Sequence, residues 1–274
     1  MRHLMDNSFD LSGKVAIVTG GSSGIGLATC ELFLQQGAAL AFCGRDEARL
    51  RHAELALRER HPNARLLAQA CDVLDEASVA AFAERSRSVL GEAAILVNNA
   101  GQGRVSRFAD TSDGDWTDEL HLKFFSVIRP TRAFLPQLEH QASASGDAAI
   151  VCVNSLLAAQ PEPHMVATSA ARAGVRNLVR SLATEFAPRR VRVNGILVGL
   201  VESGQWRRRF EAREERDLDW LAWTALLAQR KRIQLGRLGL PEEAARAIFF
   251  LASPMSTYTT GSHIDVSGGH SHHA

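Results

Sequence analysis

The feature that most restricts the fold of this chain is a regular alternation of short apolar runs with longer stretches of helical periodicity. Val15 to Thr19, Ala38 to Cys43, Leu66 to Cys71, Ile95 to Asn98, Ala149 to Asn154, Val191 to Leu197 and His263 to Val266 read as strands, and the intervals between them as helices. Strands that are apolar without interruption are buried on both faces, and the helices between them call for right-handed crossovers. The pattern predicts an α/β fold, a doubly wound parallel sheet of about seven strands with helices on both faces. In such sheets ligands bind beyond the C-terminal ends of the strands. At 274 residues, 46% of them hydrophobic, the chain can bury one large core, and no repeat or low-complexity linker divides it. A single domain over 1–274 is expected.

The turn after the first strand reads TGGSSGIG. Gly20, Gly24 and Gly26 there let backbone approach a pyrophosphate, whose charge the N-terminus of the next helix stabilises; Ser22, Ser23 and Ile25 share the loop. The Gly-x-x-x-Gly-x-Gly spacing departs from the commoner GxGxxG fingerprint of dinucleotide-binding turns.

With that spacing, the chain resembles the short-chain dehydrogenase/reductase family, and further marks follow in the family's order over nearly the whole length. Asp72, with Val73 beside it, stands where the family contacts adenine. Asn98, Asn99, Ala100 and Gly101 form NNAG after the fourth strand, Arg192 to Asn194 give RVN, and Ser267 to Gly269 resemble the closing DGG. The resemblance implies a Rossmann-type nucleotide-binding domain and an oxidoreductase that interconverts an alcohol and a carbonyl. In VGLV, at Val198 to Val201, the family's proline is missing, but Gly199 remains and Val201 can present its backbone to the nicotinamide carboxamide. Family members selecting NAD usually carry an acid at the end of the second strand. This chain has CGRD there, so Arg45, helped by Ser22 and Ser23, favours NADP(H), with NAD(H) possible. The alternative is that Arg45 pairs with Asp46 or Glu47, and that Asp46 opposes a phosphate.

The catalytic pattern departs from the family. Ser155 closes the fifth strand where the catalytic serine belongs, but counting on to the YxxxK positions gives Thr168 and Arg172 in TSAAR, and the asparagine position of the preceding helix is Lys123 in WTDELHLK. The one tyrosine, Tyr258, lies near the last strand and cannot take the usual role. A phenol, of reference pKa about 10, suits proton transfer to an alkoxide; threonine is a far weaker acid, and arginine stays protonated. Arg172 can still bind ribose hydroxyls. Lys123, beside the Arg172 cation and partly desolvated, is the candidate replacement acid, with Ser155 orienting the substrate oxygen. Alternatively Lys123 fills the asparagine's space and pairs with a carboxylate. His164, one turn before Thr168, is a second candidate donor or simply a partly exposed loop residue. Should proton transfer be lost, the other reading is an NADP(H)-binding sensor or structural protein. Dehalogenase-like relatives keep tyrosine and lose the glycines, the reverse of this chain.

Between the last two strands, an insertion at about 202–240 carries SGQWRRRFEAREER and then DLDWLAWTALLAQ. Leu218, Leu221, Leu226 and Leu227 with Trp220 and Trp223 form an amphipathic arrangement, read either as a solvated helix packed on the body or as a lid that brings Trp206, or an arginine from Arg207 to Arg209, to the substrate. Gln102 and Gln205 are further pocket candidates, and none of these residues identifies the substrate. The formal charge of +1 argues against nucleic acid or an anionic membrane as partner, leaving a small molecule. Met1 to Asp10 is polar and no apolar run is long enough to span a bilayer, so a cytoplasmic location is expected. Cys30, Cys43, Cys71 and Cys152 have neither disulfide nor metal spacing, and His270, His272 and His273 read as an exposed tail, so no metal is expected. The resemblance implies a homo-oligomer, tetramer or dimer, built on the helices at Trp116 to His140 and Val166 to Ala187 and on the C-terminal segment.

Overall fold

The computed structural model describes residues 9–213 and 217–271. Seven strands, β1 (Val15–Thr19), β2 (Ala39–Gly44), β3 (Leu66–Ala70), β4 (Ala93–Asn98), β5 (Ala148–Ser155), β6 (Val191–Val198) and β7 (His263–Val266), form one sheet of order β3-β2-β1-β4-β5-β6-β7, parallel throughout. The chain runs outwards from β1 to one edge, returns, and builds the other half from β4. The reversal between β1 and β4 opens the crevice at the strands' C-terminal ends.

Helices α1 (Gly24–Gln35), α2 (Glu47–Arg60) and α8 (Pro241–Ala252) cover one face of the sheet, and α3 (Glu76–Leu90), α4 (Asp113–Ser145) and α5 (Val166–Phe186) the other. Each strand therefore feeds two cores. Val18, Leu40 and Ile95 meet Phe33, Leu57 and Phe249 on the first face, while Ile17, Leu96 and Ile150 meet Phe82, Phe134 and Val179 on the second. Burying each such side chain stabilises the fold by roughly 1.5–3 kcal/mol.

Polar side chains fix the ends. Asp75 caps α3 by accepting from the Ala77 and Ser78 amides, and Ser112 with Asp115 forms a capping box on α4. The RVN segment is structural. Arg192 pairs with Asp147 at 2.7 Å and donates to the Leu251 and Ser253 carbonyls, tying β6 to the end of α8, while Asn194 Nδ2 donates to Thr259 O. In the insertion, α6 (Gly204–Glu211) and α7 (Trp220–Arg230) pack through Trp206, Phe210, Trp220 and Trp223. Of the leucines expected in the apolar stripe, Leu221 is instead 74% exposed and Leu218 is exposed too, whereas Leu226 and Leu227 are half-buried and Leu227 packs with Trp206 against Ala228, Ile233 and Leu238. Part of the insertion's first charged run, Glu214 to Arg216, lies outside the described residues. No helix among the described residues is long and apolar enough to cross a membrane.

Candidate active site

A cleft of about 1260 Å³ runs along the C-terminal ends of the strands. At one end lies the β1–α1 turn. Gly20 has φ +67°, and a Cβ on Gly26 would fall 2.2 Å from the Gly20 carbonyl oxygen, so both glycines are required for the turn to close. Asn99 holds it from the other side, its Nδ2 donating to the Thr19 and Gly20 carbonyls at 3.0 Å each. Asn99, expected at the cofactor, lines the cleft while its Nδ2 closes the turn. The N-cap residue of α1, Ser23, makes no side-chain capping bond, which leaves the first-turn amides of a 12-residue helix facing the cleft beside Ser22, Gly24 and Ile25.

Arg45 lies further along the cleft with Cys43, Asp46, Arg49, Asp72 and Val73. Asp46 does not pair with Arg45. Its carboxylate caps α2 through the Arg49 amide and forms an ion pair with the Arg49 side chain at 2.9 Å, so the acid is already neutralised. Asp72 accepts from the Leu74 amide at 2.9 Å. All four cysteines are free and buried, as expected, and Cys43 and Cys71, distant in sequence, share one buried apolar cluster at this end.

The other end carries Lys123, Ser155 and Arg172, three of the four residues expected to be catalytic. Lys123, on α4, is buried, and its Nζ lies 2.6 Å from Glu119 Oε1 and donates to the Gln102 carbonyl at 2.7 Å. A lysine ammonium has three donors, so one remains for the cleft that Lys123 lines. Burial first, and then the Arg172 charge, lowers the Lys123 pKa from its ordinary value, while Glu119 opposes the shift. Arg172 lines the same cleft, its pKa lowered to about 10 by burial, with Glu119 acting the other way. Its Nη1 donates to Asn154 Oδ1 at 3.2 Å, and its buried Nε has no partner. Asn154 Oδ1 also accepts from the Ser155 amide at 2.9 Å, so one side chain sets both Arg172 and Ser155. Ser155 Oγ accepts from the Leu157 amide, leaving its hydroxyl proton for a ligand oxygen.

Thr168 does not share the cleft with Arg172. It is fully buried, and its hydroxyl meets Glu119 Oε1 and the Arg104 carbonyl. The (i, i+4) spacing does put the two on one helix face, but the short threonine ends at the Glu119 carboxylate and the Arg104 backbone. Glu119, 3% exposed, is the residue that sequence reading missed, although its spacing to Lys123 was the available signal.

Gly199 approaches Ser267 so closely that a Cβ would fall 2.8 Å from the serine Cβ. Val201 bridges Gly239 and lines the cleft with Gly199, Gln102, Gln205 and Trp206. His164 is half exposed, lines the cleft and lies 3.2 Å from Glu162. Glu162 also pairs with Lys231, just beyond α7, at 2.7 Å, joining the insertion to the opposite wall. His270, read as part of an exposed tail, is buried against the cleft, and His272 and His273 lie outside the described residues. Among the described residues no group of His, Cys, Asp or Glu could hold a metal.

Comparison with known proteins identifies relatives over nearly the whole chain. The Enoyl-(Acyl carrier protein) reductase family model matches residues 20–271. A short chain oxidoreductase from Pseudomonas aeruginosa PAO1, containing an atypical catalytic center, is similar in apo form at 74% identity and TM-score 0.94, over 97% of this chain and 100% of that one. Its NADPH-bound structure is similar at 72% identity and TM-score 0.92, over 97% and 99%. An uncharacterized short-chain type dehydrogenase/reductase of Sinorhizobium fredii is 34% identical over 94% of this chain and 98% of its own length.

Proposed function

Since the chain belongs to the short-chain dehydrogenase/reductase family, we propose that it is an NADP(H)-dependent oxidoreductase that interconverts an alcohol and a carbonyl on a small organic substrate, with Lys123 in place of the missing tyrosine as proton donor. The observation that carries this reading is the Lys123 ammonium, fixed by Glu119 and Gln102 with one donor left for the cleft.

The residues fit the cofactor. A glycine cradle that a Cβ would fill and an uncapped helix N-terminus suit a pyrophosphate, and Arg45, with Asp46 neutralised by Arg49, suits a 2′-phosphate. The NADPH-bound Pseudomonas relative supports the same choice. When bound, NADPH supplies the hydride that adds to the carbonyl carbon. Ser155 donates a hydrogen bond to the substrate oxygen, and Arg172 binds ribose hydroxyls and stabilises developing negative charge. Lys123 delivers the proton that turns the alkoxide into an alcohol. The insertion at 202–240, joined to the far wall by Lys231–Glu162, closes over the substrate as a lid that brings in Trp206.

Deuteride transfer tests this reading. Protein incubated with pro-S-deuterated NADPH and a mixed pool of carbonyl compounds is expected to yield a deuterated alcohol by mass spectrometry. Lys123→Met is expected to abolish transfer with NADPH affinity intact. NADPH binding without transfer to any carbonyl favours the sensor reading, and near-normal transfer by Lys123→Met removes the lysine from the chemistry.

A further inference from the structure

Glu119 has a second side. The carboxylate that holds Lys123 also forms part of the wall of a separate cavity of about 330 Å³, which has Arg104, Ser106, Arg107, Asp115 and Ala167 around it and shares no lining residue with the cofactor cleft. Arg104 and Arg107 are exposed, so this cavity reaches solvent. The ion pair between Glu119 and Lys123 is thus the partition between the two spaces: ammonium on the cleft side, carboxylate on the other. Lys123 Nζ and the Thr168 hydroxyl both meet Oε1, and no hydrogen bond of the described residues engages Oε2.

The geometry points to Glu119 as the residue through which Lys123 exchanges protons with bulk water, by way of this second cavity. The inference rests on Lys123 being the proton donor. In each reduction the hydride adds to the carbonyl carbon, the C=O π pair moves to oxygen, and that oxygen takes a proton from Lys123 Nζ. The Glu119 carboxylate, left beside the neutral amine, takes a proton from hydronium in the second cavity and passes it to Nζ, which restores the ammonium–carboxylate pair. Carbonyl, NADPH and one solvent proton give alcohol and NADP⁺, and oxidation runs the same steps backwards. A buried lysine closed in by cofactor and substrate needs such a route, because the cleft-side water is displaced when both are bound. Thr168 keeps the carboxylate in place by hydrogen bonding and carries no proton. Glu119 acts through Lys123 and is a positioning and relay residue.

Two arms test this. In ¹⁵N-lysine-labelled protein loaded with NADPH, the exchange of the Lys123 ammonium protons with water, read by NMR, is expected to slow tenfold or more in Glu119→Gln and to stay within threefold of wild type in Glu119→Asp. In Glu119→Ala, formate is small enough for the vacated cavity and is expected to restore exchange saturably. Unchanged exchange in Glu119→Gln, or no response to formate, overturns the relay. In the second arm, on a carbonyl identified by deuteride transfer, Glu119→Gln is expected to lose tenfold or more in kcat with an unchanged KM for NADPH, and formate to recover turnover in Glu119→Ala. Turnover of Glu119→Gln within twofold of wild type also overturns the relay. The failures are separable: a fully active Lys123→Met removes the lysine as donor, whereas an inactive Lys123→Met with unchanged exchange in Glu119→Gln removes the relay alone.

Discussion

Replacing Lys123 with methionine keeps most of the side chain's length and removes its charge, which leaves the Glu119 carboxylate buried without its cation. Both partners are almost fully enclosed, at 4% and 3% exposure, and 2.6 Å apart. Breaking a buried pair from one side costs about 3–5 kcal/mol, because the remaining charge is desolvated and uncompensated. The Thr168 hydroxyl still bonds to the carboxylate, which places the expected loss near the lower end, about 3 kcal/mol. With a urea dependence of about 3 kcal/mol per molar for a chain of this size, the unfolding midpoint moves down by about 1 M. Glu119→Gln in the same background removes the orphaned charge, and the double variant is expected within about 1 kcal/mol of wild type, since neutral replacements of a buried pair are often tolerated. The assay is urea unfolding of the four proteins of this cycle at one protein concentration. If Lys123→Met is as stable as the double variant, the two groups are not coupled and the site's electrostatics have been misread.

Arg45→Ala is expected to weaken NADPH binding about tenfold and leave NADH binding unchanged, as for loss of one exposed charge-assisted contact; calorimetry with both cofactors checks it, and equal losses refute a 2′-phosphate role. Lys231→Ala removes the ion pair to Glu162, whose side chain is 22% exposed. The expected cost in stability is below about 1 kcal/mol, with a severalfold faster NADPH release by stopped flow, and an unchanged release rate refutes the closure. Burial first, then the charges of Arg176 and Arg180, lowers the His263 pKa from 6.5 to about 4, so the folded protein resists a proton that the unfolded chain accepts. Its contribution is present above pH 6.5 and lost as pH falls towards 4. His263→Gln is expected to flatten melting temperature over that window, and parallel wild-type and variant curves refute it.

The fold was legible because burial on both faces writes itself into composition: seven apolar runs became seven parallel strands, with ends displaced by one or two residues where Ala93, Ala94 and Gly44 extend the ladder without a strong β signal of their own. The nucleotide turn was legible for a similar reason, since only glycine permits the approach of Gly26 to Gly20. The catalytic end was only half legible. Spacing located Lys123, Ser155 and Arg172 on the cleft, yet it gave Thr168 the same face, and the hydroxyl's actual partner depends on a carboxylate from another helix. Glu119 was hidden because WTDELHLK carries Asp118, Glu119 and His121 together and reads as a solvated face, whereas only Glu119 and Lys123 among its charged residues turn inwards. Asn154 was read as a strand residue, and its second task of holding both Arg172 and Ser155 needs three-dimensional proximity.

The altered residues make sense as one electrostatic unit and not as separate losses. The usual pattern keeps one cation, its lysine, beside a neutral phenol and a neutral asparagine. Here two cations, Lys123 and Arg172, act on each other, and the single carboxylate of Glu119 acts on both, returning the set to the same net charge of one. Two positive charges in a desolvated cleft without Glu119 repel each other, and the lysine, the more readily deprotonated of the two, holds its proton less firmly. Glu119 opposes that shift while Arg172 continues to repel the ammonium, and a loosened hold on its proton is what an amine needs to donate to an alkoxide. Thr168 belongs to the same unit, because a hydroxyl on Oε1 keeps the carboxylate turned towards Lys123 without adding charge. Restoring tyrosine at 168 alone therefore does not rebuild the ordinary site: the phenol has to enter the space where Thr168 meets Glu119, and it meets two cations and a carboxylate where the usual pattern has one lysine.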